Sequence, residues 1–287
     1  QALTDTFNTR DTKGLYKYDK NWNLVAKRVQ SDSDPLFPNP KLANHFGDID
    51  VWNGRIYTGN EKFEYGRGFN IAISVYDAET LEWIEDIPWC AESGQVEVSG
   101  LAVDREKNMI WMSDWVDSRY VYGYSLETGK YYTKMQCRPM PYWTQGIFIC
   151  DGKMLIAADD GESTYHIADN IYIADITQVP YSGLKDGTEV VRDTPFSVKL
   201  DKNGKVVTRT GKIAAGAMGG RLELFREMKD FRRAGEIEGL CIDPTTDDLL
   251  VLNNRGTQII LGMSQGPFKE EGYTKEIHEV YIYEKVK

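Results

Sequence analysis

Gly100-Leu101-Ala102-Val103-Asp104, a turn at Arg105–Asn108, then Met109-Ile110-Trp111-Met112: this phrase, a glycine followed by two short apolar strands about a turn, recurs along the chain. Gly146-Ile147-Phe148-Ile149-Cys150 turns at Asp151-Gly152 into Met154-Leu155-Ile156-Ala157, and Gly239-Leu240-Cys241-Ile242-Asp243 turns at Thr245–Asp248 into Leu249-Leu250-Val251-Leu252. A fourth copy, Asp48-Ile49-Asp50-Val51-Trp52, turns at Asn53-Gly54 into Arg55-Ile56-Tyr57-Thr58. The three glycine anchors are separated by 46 and 93 residues, and the second gap is close to twice the first. A fixed period with one degenerate copy is the mark of a radially repeated β-structure. The expected fold is therefore all-β, a propeller.

Around these inner hairpins the remaining patterns read as outer strands. Ile73-Ser74-Val75-Tyr76-Asp77 with Leu81-Glu82-Trp83-Ile84, and Val121-Tyr122-Gly123-Tyr124 with Tyr131-Tyr132-Thr133-Lys134, resemble an N-terminal hairpin, Leu15–Asp19 with Asn23–Lys27. The chain thus opens on outer strands and ends on inner ones plus Glu279–Tyr283. The economical closure joins the N-terminal hairpin to the C-terminal blade, which removes an open sheet edge. Turns near 53, 106, 151, 203 and 246 count five blades, with six the alternative, in one domain over residues 1–287. Phe196–Leu200 and Val206–Thr208 about Asn203-Gly204 predict a hairpin. Leu222, Phe225, Met228 and Phe231 recur every three residues, which predicts a short helix in an insertion over 205–235.

The net charge of −10 excludes sequence-independent nucleic-acid binding, where Lys and Arg must replace counterions. No apolar run approaches the roughly 18 residues of a membrane span. The sequence starts at Gln1 rather than Met, so we expect that a leader or a tag has been removed, and we expect a secreted or periplasmic monomer. Cys150 and Cys241 read as buried thiols, while Cys90 and Cys137 occupy matching places on neighbouring repeats, too far apart for a bridge.

In such a ring the residues before each inner strand and after its partner meet at the channel mouth. The first set holds His45, Asp48, Glu97, Ser99, Thr144, Gln145, Glu236 and Glu238. The second holds Asn60, Glu61, Asp114, Asp117, Asp159, Asp160, Asn253, Asn254 and Arg255. Oxygen ligands converging on an axis suit Ca²⁺. With only His45, His166 and His278 and no Cys/His cluster, zinc is disfavoured. Asp and Asn after strands also serve as turn formers, but Glu238 does not fit that role and is the principal ligand candidate, with Glu97 and Glu61 behind it. His45 is the candidate general base. Asp48, standing where an aligned copy has Gly146, is its candidate partner, or the two staple the loop. Trp111, Trp115, Tyr142 and Trp143 stand where they could stack on a planar ligand or pack between blades. Arg221, Arg226, Lys229, Arg232 and Arg233 make a basic cluster.

The strand openings Glu236-Ile237-Glu238-Gly239-Leu240-Cys241-Ile242-Asp243-Pro244 and Ser99–Asp104 resemble those of the broad β-propeller superfamily. That group includes the SMP-30/gluconolactonase-like lactonases and the phytase-like and SdiA-regulated propellers. The resemblance implies a Ca²⁺ at the channel held by Glu238, by Asn253 or Asn254, and by Asp159 or Asp160; of these we take Glu238, Asn253 and Asp159, together with Glu97, as the expected ligands. The metal would polarise a carbonyl or phosphoryl oxygen. The expected activity is a Ca²⁺-dependent hydrolase or lyase on a small ester, lactone, phosphate or sugar, with His45 and Asp48 catalytic and Trp115, Trp143, Arg255 and Glu61 on the substrate. The alternative is a non-catalytic secreted propeller that binds a glycan or protein partner.

Overall fold

The structure, a computed structural model, describes residues 2–5, 14–31, 33, 35–37, 41–64, 67–116, 118–159, 167–177, 199–200, 206–207, 219–229, 231, 235–255, 275 and 277–286. Apart from one 3-10 turn at Ala91–Ser93, every regular element among them is a strand. β1 (Ala2–Asp5), β2 (Gly14–Tyr18) and β3 (Leu24–Val29) form a three-stranded sheet. β4 (His45–Trp52), β5 (Arg55–Glu64), β6 (Arg67–Asp77) and β7 (Trp83–Pro88) follow as an antiparallel meander. So do β8 (Leu101–Asp104), β9 (Met109–Ser113), β10 (Tyr120–Ser125) and β11 (Tyr131–Arg138). β12 (Thr144–Cys150), β13 (Lys153–Ala158) and β14 (Asn170–Asp175) come next, then the short pair β15 (Lys199–Leu200) and β16 (Val206–Val207). β17 (Gly219–Glu227) pairs with β14, and its start runs parallel to β11, which covers the outer edges of both sheets. β18 (Glu236–Ile242), β19 (Leu249–Arg255) and β20 (Ile277–Tyr283) complete the described strands.

The repeated phrase is the inner hairpin of these sheets: β4–β5, β8–β9, β12–β13 and β18–β19. Its strands are apolar on both faces because neighbouring sheets cover both. Every residue of β8 and β9 is buried, whereas β7 is almost wholly exposed. Asn53-Gly54 and Asp151-Gly152 take positive φ at both turn positions, as a two-residue hairpin requires. Four apolar layers join the sheets in chain order. Leu15, Phe37 and Phe46 lie in the first, Ile73 and Leu101 in the second, Trp111 and Ile147 in the third, and Phe148 and Val251 in the fourth.

Two expectations change. The hairpin Gly14–Val29 takes β1 as its third strand and packs through Leu15 towards β4–β7, while β20 pairs with β19. Joining of that hairpin to the C-terminal sheet is not seen among the described residues. The stretch read as a helix begins as a strand, Gly219–Glu227. A bulge opposite Ile171 and Tyr172 shifts its alternation, so Leu222 packs in the third layer and Met228 in the fourth while Leu224 and Phe225 stay exposed. The shift imitates a three-residue period. The hairpin about 203 is present in β15 and β16, but most of 178–218 lies outside the described residues, as do Asp117, Asp160, His166, Arg232 and Arg233.

Candidate functional site

The inner strands open where backbones nearly touch. A Cβ on Gly146 would lie 2.6 Å from the Glu238 carbonyl oxygen and 2.9 Å from Gly239 Cα, and one on Gly47 would collide with the carbonyls of Val98 and Ser99. Only glycine allows that approach. The ladders are bulged at the same level in three hairpins: between Phe46 and Ile49, between Thr144 and Gly146, and between Ile237 and Leu240. A bulge re-aims side chains, and here it turns polar residues of β4, β12 and β18 towards one place. A cavity of about 660 Å³ lies there, and His45, Asp48, Ser99, Gln145 and Glu238 are among its lining residues.

Asp48 is at the centre of this convergence. Its Oδ1 accepts the Ile49 N–H at 2.8 Å and its Oδ2 the Ile147 N–H at 2.9 Å, and the Leu101 N–H also points to the carboxyl. One side chain therefore holds β4, β8 and β12. Burial pushes it up to about 8 against the pull of those amides. Asp50 repeats the arrangement one pleat further on, accepting from Val51, Val103 and Arg105, the last at 2.6 Å. Sequence reasoning missed Asp50 and Arg105. The available signal was an acid two residues after Asp48 inside an apolar strand.

Glu236 and Glu238 stand at the start of β18. Both are buried, and Glu238 Oε1 meets no hydrogen-bond partner among the described residues. Burial, then the nearby Asp159 carboxylate, pushes Glu236 up to about 8. Burial, then Glu236, lifts Glu238 well above the usual range, with Asp48 and Asp159 adding to it and a bond from Asn254 opposing. Gln145 Nε2 donates to Glu236 at 3.4 Å. Asn253, expected as the amide ligand, stands opposite Ile237 on the face that packs in the fourth apolar layer. Asn254, opposite Glu236, is the amide on the side of Glu238. His278 Nδ1 lies 2.6 Å from the Asn254 side-chain Oδ1, so the Asn254 amide oxygen is already engaged. Arg255 is held by Glu279 through two contacts of 2.7 Å.

A second group lies between β4, β5 and the segment before β8. Ligand atoms of His45, Glu61 and Glu97 all fall within 4.8 Å of one another, the one such trio of His, Cys, Asp or Glu among the described residues. His45 Nδ1 sits 3.0 Å from Glu61 Oε1, so its partner is Glu61 rather than Asp48. Glu61 Oε2 accepts the Val98 N–H at 3.1 Å. Asp114, after β9, accepts the N–H groups of Val96 and Glu97 and, at 3.0 Å, the Tyr122 hydroxyl. Burial pushes Asp114 up to about 7. Burial, then Glu61 and Asp114, raises Glu97 well above its usual range. Phe63 bridges to this group, its ring centroid 5.4 Å from that of His45 and 6.0 Å from that of Trp115. Trp111 is a core residue; Trp143 is half-buried and stacks 5.6 Å from the exposed Tyr142. All four cysteines are free, and no described helix is long and apolar enough to cross a membrane.

No protein-family model matches the chain, so the resemblance of its strand openings to the lactonase-like and phytase-like propellers is not joined by a family match. No curated protein matches either. Among solved structures the chain is similar to one in a crystal structure of a nidogen/laminin complex, at 10% identity and a TM-score of 0.46, over 88% of this chain and 70% of that one.

Proposed function

We propose that the β1–β3, β4–β7 and β18–β20 sheets, with the two halves of the eight-stranded sheet that β17 joins, β8–β11 and β12–β14, are the five blades of a propeller, and that the mouth at Glu238 is the site of a Ca²⁺-dependent hydrolase or lyase acting on a small ester, lactone, phosphate or sugar. Inner strands buried on both faces, exposed outer strands and glycine openings that meet at one level support the ring. The observation that carries the function is Glu238: a buried carboxyl beside Glu236 and near Asp48 and Asp159, with Oε1 lacking a donor among the described residues. Crowded acids out of water take up protons or a cation. Donors that are all oxygen, from Glu238, Glu236 and Asp159, suit Ca²⁺, which would have to draw them closer, since their ligand atoms do not all lie within 4.8 Å of one another.

Bound there, the ion would polarise the oxygen of the scissile group. Gln145 and Ser99, themselves linked at 3.1 Å, line the cavity and can orient the substrate. Asp48 is fixed by the amides it accepts and acts as the frame rather than as a catalytic group.

The test is thermal unfolding of EDTA-treated protein with and without millimolar Ca²⁺, followed by a hydrolysis screen on esters, lactones and phosphates. A ligand at about 100 times its Kd adds about 2.7 kcal/mol, so the midpoint should rise by several degrees. Glu238→Gln should abolish both the rise and turnover. Absence of a Ca²⁺ response together with absence of turnover would sink this reading. The stacked, partly exposed Tyr142 and Trp143 favour a second reading, glycan or protein binding without catalysis, in which Trp143→Ala weakens binding and EDTA does not.

A further inference from the structure

We propose that His45, Glu61 and Glu97 form a second metal site, one that takes a first-row divalent cation of the Mn²⁺–Zn²⁺ series rather than Ca²⁺. The three residues come from the first strand of one sheet, its second strand, and the segment leading into the next sheet, and their ligand atoms lie within 4.8 Å of one another. Local sequence does not bring them together, since 36 residues separate the two glutamates. The 3.0 Å between His45 Nδ1 and Glu61 Oε1 matches two adjacent ligands at a right angle, each about 2.1 Å from an octahedral metal, and is a few tenths of an ångström short of a tetrahedral pair.

An independent observation points to a ligand. Glu97 is 5% exposed, and its Oε2 has no hydrogen-bond partner among the described residues, although its carboxyl faces that of the fully buried Glu61. Among the described residues, no Lys or Arg ion pair reaches either glutamate. Two buried carboxyls with an oxygen to spare call for a positive charge between them.

The surroundings hold the trio in place. Asp114 anchors the N–H groups of Val96 and Glu97 at 2.9 and 3.1 Å, and Glu61 Oε2 takes the Val98 N–H, so the segment carrying Glu97 is tied on both sides of it. Outer partners of this kind fix the orientation of metal ligands. Gly68 forms a wall in which a Cβ would collide with the Glu61 carboxyl. The His45 side chain is 30% exposed at the cavity, leaving an approach for water or substrate. One imidazole with two carboxylates selects Mn²⁺, Fe²⁺ or Zn²⁺, because Ca²⁺ takes oxygen ligands.

The experiment is calorimetric titration of EDTA-stripped full chain with MnCl₂, ZnCl₂ and CaCl₂, for wild type, His45→Ala, Glu97→Gln and Glu238→Gln. Wild type should bind Mn²⁺ or Zn²⁺. His45→Ala and Glu97→Gln should each weaken that binding by about tenfold or more while leaving any Ca²⁺ response intact. Glu238→Gln should leave the Mn²⁺ or Zn²⁺ isotherm unchanged, which separates this site from the one proposed above. Should His45→Ala fail to fold by circular dichroism, the isosteric Glu97→Gln decides. Wild-type protein that binds neither Mn²⁺ nor Zn²⁺, or a folded Glu97→Gln that binds them as wild type does, overturns the proposal.

Discussion

Asp48, half-buried, and Glu97, buried, are both acids near the mouths of inner hairpins, yet they are wired in opposite ways. Asp48 accepts from the amides of three strands, and Asp50 beside it accepts from two amides and an arginine. Glu97 leaves Oε2 without a donor among the described residues, as Glu238 leaves Oε1. Burial alone therefore does not mark a functional carboxyl. Whether its oxygens are already spoken for does, because a saturated carboxylate is part of the frame and an unsaturated one costs stability until something arrives to use it.

The sharpest break of this contrast is Asp48→Ala. It strips the acceptor from the amides of Ile49, Ile147 and Leu101 at the point where β4, β8 and β12 meet. Each buried N–H left without a partner costs roughly 1–3 kcal/mol, so a loss of about 3 kcal/mol or more is expected. Asp48→Asn keeps one acceptor oxygen and should lose distinctly less. Urea unfolding measures both. Near-equal stability of Asp48→Ala and wild type would show that the amides find other partners and that the distinction between wired and unwired acids is empty.

Acidity gives a second, intermediate test. Asp48 and Glu236 are raised to about 8 and Asp114 to about 7, chiefly by burial. For a raised acid the folded state holds the proton more tightly. The stability it contributes is complete below the unfolded value near 4 and is lost progressively as pH climbs from there through 7 to 8. In EDTA the melting midpoint should therefore fall between pH 5 and pH 8.5, each proton released being worth about 1.4 kcal/mol per pH unit. The acids held below their usual range by hydrogen bonds, Asp19, Asp77, Asp175 and Asp243, act below about pH 4 and leave this window clear. A cation that fills the acid clusters should flatten the slope. A midpoint that rises with pH in EDTA would mean the buried acids are ionised and compensated.

How much of this could be read in the sequence follows from what is local. The glycine-led hairpins were legible because a short turn between apolar runs is a local signal; Gly100 directly precedes β8, while Gly146 and Gly239 lie within β12 and β18, at their bulges. The Leu222–Phe231 stretch misled because a bulge, set by pairing with β14, gave a strand a three-residue rhythm. Glu97, Glu61 and His45 were each placed at the mouth, but in three different roles. Their meeting depends on how one sheet packs against the next, which no spacing encodes. Asn253 was chosen over Asn254 because the β18 bulge that decides which amide shares Glu238's side is invisible in a single strand. The role of Asp48 was hidden for a similar reason: its partners are backbone amides of strands about 50 and 100 residues away.

The smallest expected effect closes the comparison from its other end. Glu97→Gln preserves shape and removes one of the two acids that face each other, and no backbone donor is orphaned on the Oε2 side. The Trp115 N–H that the carboxyl accepts retains an acceptor in the amide oxygen, and the new NH₂ can donate to Glu61. Without metal at pH 8 the variant should unfold within about 0.5 kcal/mol of wild type or be slightly more stable, because repulsion between two buried acids has gone. With Mn²⁺ or Zn²⁺ present, wild type should gain stability and the variant should not. The same substitution would then be nearly silent in one buffer and costly in the other, a pattern that a purely structural glutamate, lost equally in both, does not produce.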